Sequence, residues 1–277
     1  MVGRVGASVS GIFGAQQGRF GRVTLFDIRD PVADHAHPHV HLLFKVEGSD
    51  RGLQVGSERV SLSEQTSVLV SPWQRHADIE ELCTEPTVML ALYIDPGYLE
   101  ARFGGALPAP TFRAASGHVS PAARELVSEI SGIVSSGGQT SERLEDAIIG
   151  LVLEALHTSG SGESRTGVAD YRIRRAMAQL REDPHLHPDF HLIASSVGLS
   201  RSRFFEQFKN SVGIAPSMYL DGLLLERAIA MLVYSDRTIE DISGALGFAA
   251  QSSFCRFIKD RVGFPPGALR HAATPLH

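Results

Sequence analysis

Cysteine is almost absent: only Cys83 and Cys255 occur in 277 residues, far apart and with no CxxC pair. That excludes a disulfide framework or a cysteine-rich zinc module, and both residues read as free, reduced thiols. Long hydrophobic runs are missing too. None approaches the ~18 residues needed to cross a bilayer, and Met1 to Gly14 lacks the charged-then-apolar pattern of a secretory signal. The expected compartment is the cytoplasm, with no membrane partner. Charge of one sign is not in large excess, the net being −5, but it is unevenly spread. Residues 165–277 hold 14 Lys and Arg against 11 Asp and Glu, a balance of +3, whereas residues 1–164 stand at −8. An acidic first half therefore masks a mildly basic second half.

What the chain does have is length for about two domains and 43% apolar residues to give each a core. In the first part, residues 22–28, 41–46, 66–70 and 87–94 are short runs rich in β-branched, aromatic and aliphatic residues. Turn residues punctuate them at Gly48 to Asp50, Gly56-Ser57, Ser71-Pro72 and Asp95 to Gly97. Such spacing predicts a small barrel or sandwich. After Pro108 to Pro110 the period becomes helical. Leu126, Ile130, Ile133 and Val134 share one face, and Leu144, Ile148, Leu151, Val152 and Ala155 another. Two antiparallel helices are expected, capped by Ser120 and Ser141 and joined near Gly137-Gly138. Residues 159–168 are polar, glycine-rich and without period, as a flexible linker is. Beyond them helical signals run to the end, starting from Asp170 as a cap. The fold class is thus α+β in two domains. Residues 1–158 hold a barrel to about 112 and a helix pair at about 120–157, and residues 169–277 are all-α.

The sharpest feature is an internal duplication. Ile193 and Gly198 recur 49 residues on as Ile242 and Gly247. Ser202, Phe204, Lys209, Val212, Gly213 and Pro216 recur 50 residues on as Ser252, Phe254, Lys259, Val262, Gly263 and Pro266. Each copy reads as a short helix, a glycine that permits a left-handed turn, one apolar residue (Leu199 or Phe248) and a second helix. In the first copy Phe204 and Phe208 face inward, leaving Arg201, Ser202, Phe205, Glu206 and Lys209 outward. In the second, Phe254, Phe257 and Ile258 face inward, leaving Gln251, Ser252, Cys255, Arg256 and Lys259. A long amphipathic helix from Pro216 to about Ser235 links the copies and would fix their spacing at about one DNA turn, roughly 34 Å.

Gly198 to Phe205, Phe208-Lys209, Gly213-x-x-Pro216, Leu225 to Ala228, Leu246 to Phe248, Gln251-Ser-x-Phe254, Phe257-x-Lys259 and Gly263-x-x-Pro266 together resemble the AraC/XylS family signature over about residues 170–272. The resemblance implies a transcription regulator that binds double-stranded DNA and is not an enzyme, so no catalytic residues and no cofactor are expected. It places base contacts on Ser202, Phe205, Glu206, Gln251, Ser252, Cys255 and Arg256. Arg201, Lys209 and Lys259 complete the DNA-binding set. It also implies a homodimer formed through the helix pair, a small-molecule effector, and RNA polymerase as an admitted further partner. Three departures stand out. Ala249-Ala250 replaces small polar residues, Glu206 brings a carboxylate toward phosphates, and Gly267 to Arg270 lacks the usual aromatic residue.

In the first half His35, His37, His39 and His41 alternate, and His76 follows Ser71 to Arg75. The pattern resembles the cupin-like sensory domain of AraC-type regulators. Enzymes with the cupin barrel hold a metal on such histidines plus a carboxylate, whose place here is Leu42. The expectation is therefore no metal, with His35, His37, His41, Trp73 and His76 lining an effector pocket. The competing expectations are a metal-dependent cupin enzyme on His35, His37 and His76 with a DNA module attached, or a sensor of a protein partner.

Overall fold

The computed structural model describes residues 11–83, 85–104, 111–137, 141–160 and 170–275. The first half is built from strands β1 (Gly11–Gly18), β2 (Gly21–Ile28), β3 (Val40–Gly48), β4 (Arg51–Val55), β5 (Glu58–Leu62), β6 (Thr66–Val70), β7 (His76–Asp78), β8 (Thr87–Ile94) and β9 (Ser116–His118). Helix α1 (Pro96–Arg102) lies between β8 and β9, and α2 (Pro121–Ser136) and α3 (Ser141–Ser159) follow. The second half carries α4 (Tyr171–Glu182), α5 (Phe190–Ser196), α6 (Arg201–Val212), α7 (Pro216–Tyr234), α8 (Ile239–Ala245), α9 (Gln251–Val262) and α10 (Pro266–Ala272), then strand β10 (Ala273–Pro275).

The strands form two hydrogen-bonded sheets, one of seven strands in the order β10-β1-β2-β8-β3-β6-β9 and one of three in the order β5-β4-β7. Strand β3 explains why its sequence is nearly all apolar: both of its faces are covered. Val40, Leu42 and Phe44 join α2 and α3 in one core with Ile130, Val134, Ile148 and Val152. Leu43 points to the other side, where Phe26, Leu53, Val68 and Met89 meet. A third core fills the helical half around Phe204, Phe208, Leu224, Phe254 and Ile258.

The expected helix pair is present. Ser120 accepts from Ala123 N at 3.0 Å and Gly137 closes α2 in the left-handed region at φ 66°. Its apolar stripes, however, are covered by the sheet within the same chain. Leu153 is the large apolar side chain that this pair leaves exposed among the described residues. The expected linker lies, from residue 161 to 168, outside the described residues, as do Pro108 to Pro110 and Gly138. The second half is helical as expected through Ala272 and then adds one short strand. Ala273–Pro275 returns as β10 to pair in parallel with β1, Ala15 opposite Ala273. An edge strand with unpaired backbone groups is a template for such an addition.

The two halves also touch through side chains and backbone. Phe264 packs edge-on against Phe26 at 5.2 Å between ring centroids, and the Ala33 amide donates to Asp260 O at 2.7 Å. Trp73 lies against Tyr219 of α7 at 4.2 Å.

Candidate nucleic-acid interface and histidine centre

The duplication in the sequence is a duplication in backbone geometry. Leu199 N donates to Ala194 O at 2.9 Å, and its counterpart Phe248 N donates to Ser243 O at 3.0 Å. Gly198 and Gly247 hold φ of 71° and 86°, the left-handed turn that a Cβ disfavours. Leu199 and Phe248 are both buried and wedge the helix pairs apart. At the far ends Gly213 N and Gly263 N each donate to the carbonyl four residues back, Lys209 and Lys259, at 2.8 Å. These are two helix-turn-helix units, α5–α6 and α8–α9, joined by α7.

In α6, Phe204 and Phe208 are fully buried, which turns Arg201, Ser202, Glu206 and Lys209 to solvent. Phe205 is half-buried. Its ring meets Phe190 edge-on at 5.3 Å, and the Arg201 guanidinium sits 5.0 Å above it. In α9, Phe254, Phe257 and Ile258 are buried, Gln251, Ser252, Arg256 and Lys259 are exposed, and Cys255 is half-buried. Lys259 forms an ion pair with Asp30 at 3.2 Å, so one exposed cation of the second unit is shared with the first half of the chain. Ser200 caps α6 by accepting from Arg203 N at 3.4 Å, whereas Ala250 at the start of α9 makes no side-chain cap. The second unit compensates one element earlier, where Thr238 and Asp241 form a reciprocal capping box on α8.

The histidines converge, though not as a continuous strand. His35 forms an isolated bridge with His76, His37 and His39 lie in the segment that follows, and His41 sits on β3. Ring centroids of His35 and His76 are 4.2 Å apart, those of His37 and His76 5.0 Å, and those of His37 and His41 5.1 Å. Three of the rings are fixed by backbone carbonyls. His35 Nδ1 donates to Ala33 O at 2.8 Å, His76 Nδ1 to Gln74 O at 2.9 Å and His41 Nδ1 to Leu92 O at 3.1 Å. A carbonyl only accepts, so each of these Nδ1 atoms carries the proton and the neutral ring leaves its Nε2 with a free lone pair. Burial pushes all four pKa values below the usual histidine range. For His35, His37 and His41 the shift is large, with His76 adding repulsion. The cluster therefore presents neutral, electron-donating imidazoles.

Beside the rings is a cavity of about 40 Å³, lined among others by His35, His41, His76, Tyr93 and Arg261. It has room for a few waters or an ion, an order of magnitude below the ~300–1,000 Å³ of pockets for organic ligands. Trp73 is not in that lining: its ring lies outside the histidine cluster, against Tyr219. Sequence reasoning missed Tyr93 of β8, which stacks on His41 at 4.1 Å between ring centroids. It missed Arg51 as well, buried to 1% exposure and donating to Asp78 at 2.7 Å and to Asp30 O at 2.8 Å. A lone arginine in a short strand carries no local sign that a carboxylate 27 residues on will meet it.

Residues 193–272 match a helix-turn-helix domain family. A putative AraC-like transcription regulator of Streptomyces lividans is 30% identical over 108 residues, covering 39% of this chain and 36% of that protein. The HTH-type transcriptional regulator YobQ of Bacillus subtilis is 32% identical over 98 residues, covering 35% of each. The chain thus spans about a third of the length of the curated relatives it matches. For the whole fold, fatty-acid-bound ToxT from Vibrio cholerae superposes with a TM-score of 0.61 at 13% identity, over 91% of this chain and 95% of that one. An apo form of ToxT carrying one lysine-to-alanine substitution gives 0.60, over 94% and 99%. With its repeated turn geometry and exposed polar helix faces, the C-terminal region is a helix-turn-helix domain similar to that of AraC-like regulators, and it is joined to a sheet-rich N-terminal region in a fold shared with ToxT.

Proposed function

We propose that the chain is a transcription regulator that reads duplex DNA with α6 and α9, under the control of an effector held in the sheet-rich half. The observation that carries this reading is that both helices stand in the same glycine-turn framework and leave equivalent polar faces in solvent. On α9, Gln251 and Arg256 have the side-chain chemistry to pair with base edges, adenine for the amide and guanine for the guanidinium. Lys209 and Lys259 supply cations for phosphates, which position the protein without reading sequence. The dimensions of the histidine-lined cavity favour an effector of ionic rather than sugar-like size.

The test is binding of the full chain to a randomised duplex library, followed by base-substitution panels on the selected site. Arg256→Ala and Gln251→Ala are expected to cost about 1–3 kcal/mol of discrimination at one half-site. Lys209→Ala should weaken binding to every sequence and lower the dependence on salt. Absence of salt-sensitive affinity for any duplex would overturn the reading.

A further inference from the structure

His37 is the anomaly of the histidine cluster. It is 1% exposed, and neither of its ring nitrogens has a hydrogen-bond partner. A buried polar group left unpaired is destabilising, and here it happens twice on one ring. His76 Nε2 is buried and unpartnered as well. One ring nitrogen from each of His35, His37 and His76 lies within 4.8 Å of the others, near enough to share an ion after small ring rotations. The carbonyls that hold the Nδ1 protons of His35 and His76 are the outer support that metal-binding imidazoles generally have, and they leave Nε2 as the donor atom. The lone pairs repel an anion, the three donors are nitrogens and not the oxygens that calcium or magnesium need, and the nearby Asp78 carboxylate is engaged by Arg51 and the Val32 amide. Neutral nitrogen donors select a divalent transition metal. The adjoining cavity leaves a position for water or an exchangeable ligand.

The same segment is the seat of α7, the helix that joins the two DNA-reading units. The His37 carbonyl accepts from Trp73 N at 2.8 Å, and holds a residue with φ 61°, the non-glycine position in the left-handed region among those described. The Trp73 ring then rests on Tyr219. At Gly222 the approach is so close that an added Cβ would clash with the Ala36 carbonyl and with Trp73. His39 faces Glu226 at 3.6 Å. Tyr219, Gly222 and Glu226 are spaced three and four residues apart, one face of one helix. Residues 36–39 and Trp73 therefore connect the cluster to that face without an intervening element.

We propose that His35, His37 and His76 bind one divalent transition-metal ion, and that the ion is the effector, its presence transmitted to α7 through residues 36–39 and Trp73. This deepens the regulatory reading above and rests on it for what α7 carries. Its test needs no DNA, so the two can fail separately. Tag-free, chelator-treated full chain is titrated with Co²⁺, read by visible absorption and calorimetry, and separately with Zn²⁺, read by emission of Trp73, the single tryptophan.

The expected result is one Co²⁺ per chain, with affinity at least tenfold weaker in His37→Ala and in His76→Ala, and a Zn²⁺-dependent shift in Trp73 emission. Circular dichroism identifies a variant that has not folded, and His37→Gln then replaces it. Gly222→Val should keep the Co²⁺ spectrum but lose the emission response, because α7 can no longer seat on Ala36. No saturable Co²⁺ binding, or binding indifferent to His37 and His76, overturns the site. Zn²⁺ binding without an emission change overturns its coupling to α7.

Discussion

The two helix-turn-helix units share a framework and differ in what lies behind them. The residue after the closing glycine is Ile214 in the first unit and Phe264 in the second. Ile214 packs into the helical core of its own half, whereas Phe264 packs into the sheet core against Phe26. Gly213 has open space where a side chain would go, while Gly263 is pressed against Ile28. The Lys259–Asp30 ion pair and the Ala33–Asp260 hydrogen bond also belong to the second unit. One repeat is thus held mainly by itself and the other partly by the sheet-rich half. A signal arising in the sheets has direct mechanical access to α9, and α7, which rests on Trp73 and Ala36, gives it a route to α6.

The largest effect that would break this contrast is at the unequal apolar position. Phe264→Ala should destabilise by about 3–5 kcal/mol and, by hydrogen exchange, raise opening in both β2 and α9. Ile214→Ala, costing about 2–5 kcal/mol, should raise opening only in the helical half. Equal responses in the sheets would show that the second unit is not specially tied to them. Next comes the glycine pair. Both positions hold φ near 85–90°, so Gly213→Ala should cost about 1–2 kcal/mol in urea unfolding. Gly263→Ala should cost more, since its new methyl also displaces the Ile28 side chain.

The smallest effect sharpens the comparison at the helix starts. Ser200→Ala should lose about 0.5–2 kcal/mol of thermal stability with its cap, while Ala250→Ser should gain toward that amount if the extended backbone there accepts it, φ −145° and ψ 140°. A loss at Ala250→Ser would mean that tertiary contacts to α9 already fix its first turn.

The helical half was legible because its information is local and doubled. Glycine turns, wedge residues and inward phenylalanines each carry their own spacing, and finding them twice removes the ambiguity of a common supersecondary unit. The first half was partly legible. Strands β2, β3, β6 and β8 announce themselves by composition, but β4, β5, β7 and β9 are short, and the glycines and polar residues among them mask any alternation. The histidines could be nominated from their alternation and from the placing of His76. Their shared nitrogens, the supporting carbonyls and the Tyr93 stack depend on the pairing of β3 with β8 and of residue 35 with residue 76. Trp73 could be nominated too, but not assigned to a helix 146 residues away.

The sequence by itself determined that the chain has an acidic, strand-rich first part, a helical second part and a repeated turn framework with two polar helix faces. Each of those rests on the intrinsic preferences of nearby residues and on periodicity within a few turns. Only the tertiary structure decided that His37 is buried with both nitrogens unpaired, that β10 closes onto β1, and that α7 and α9 rest on the histidine-bearing segment. These follow from which distant surfaces meet, and burial, pairing and coupling have no meaning until they do.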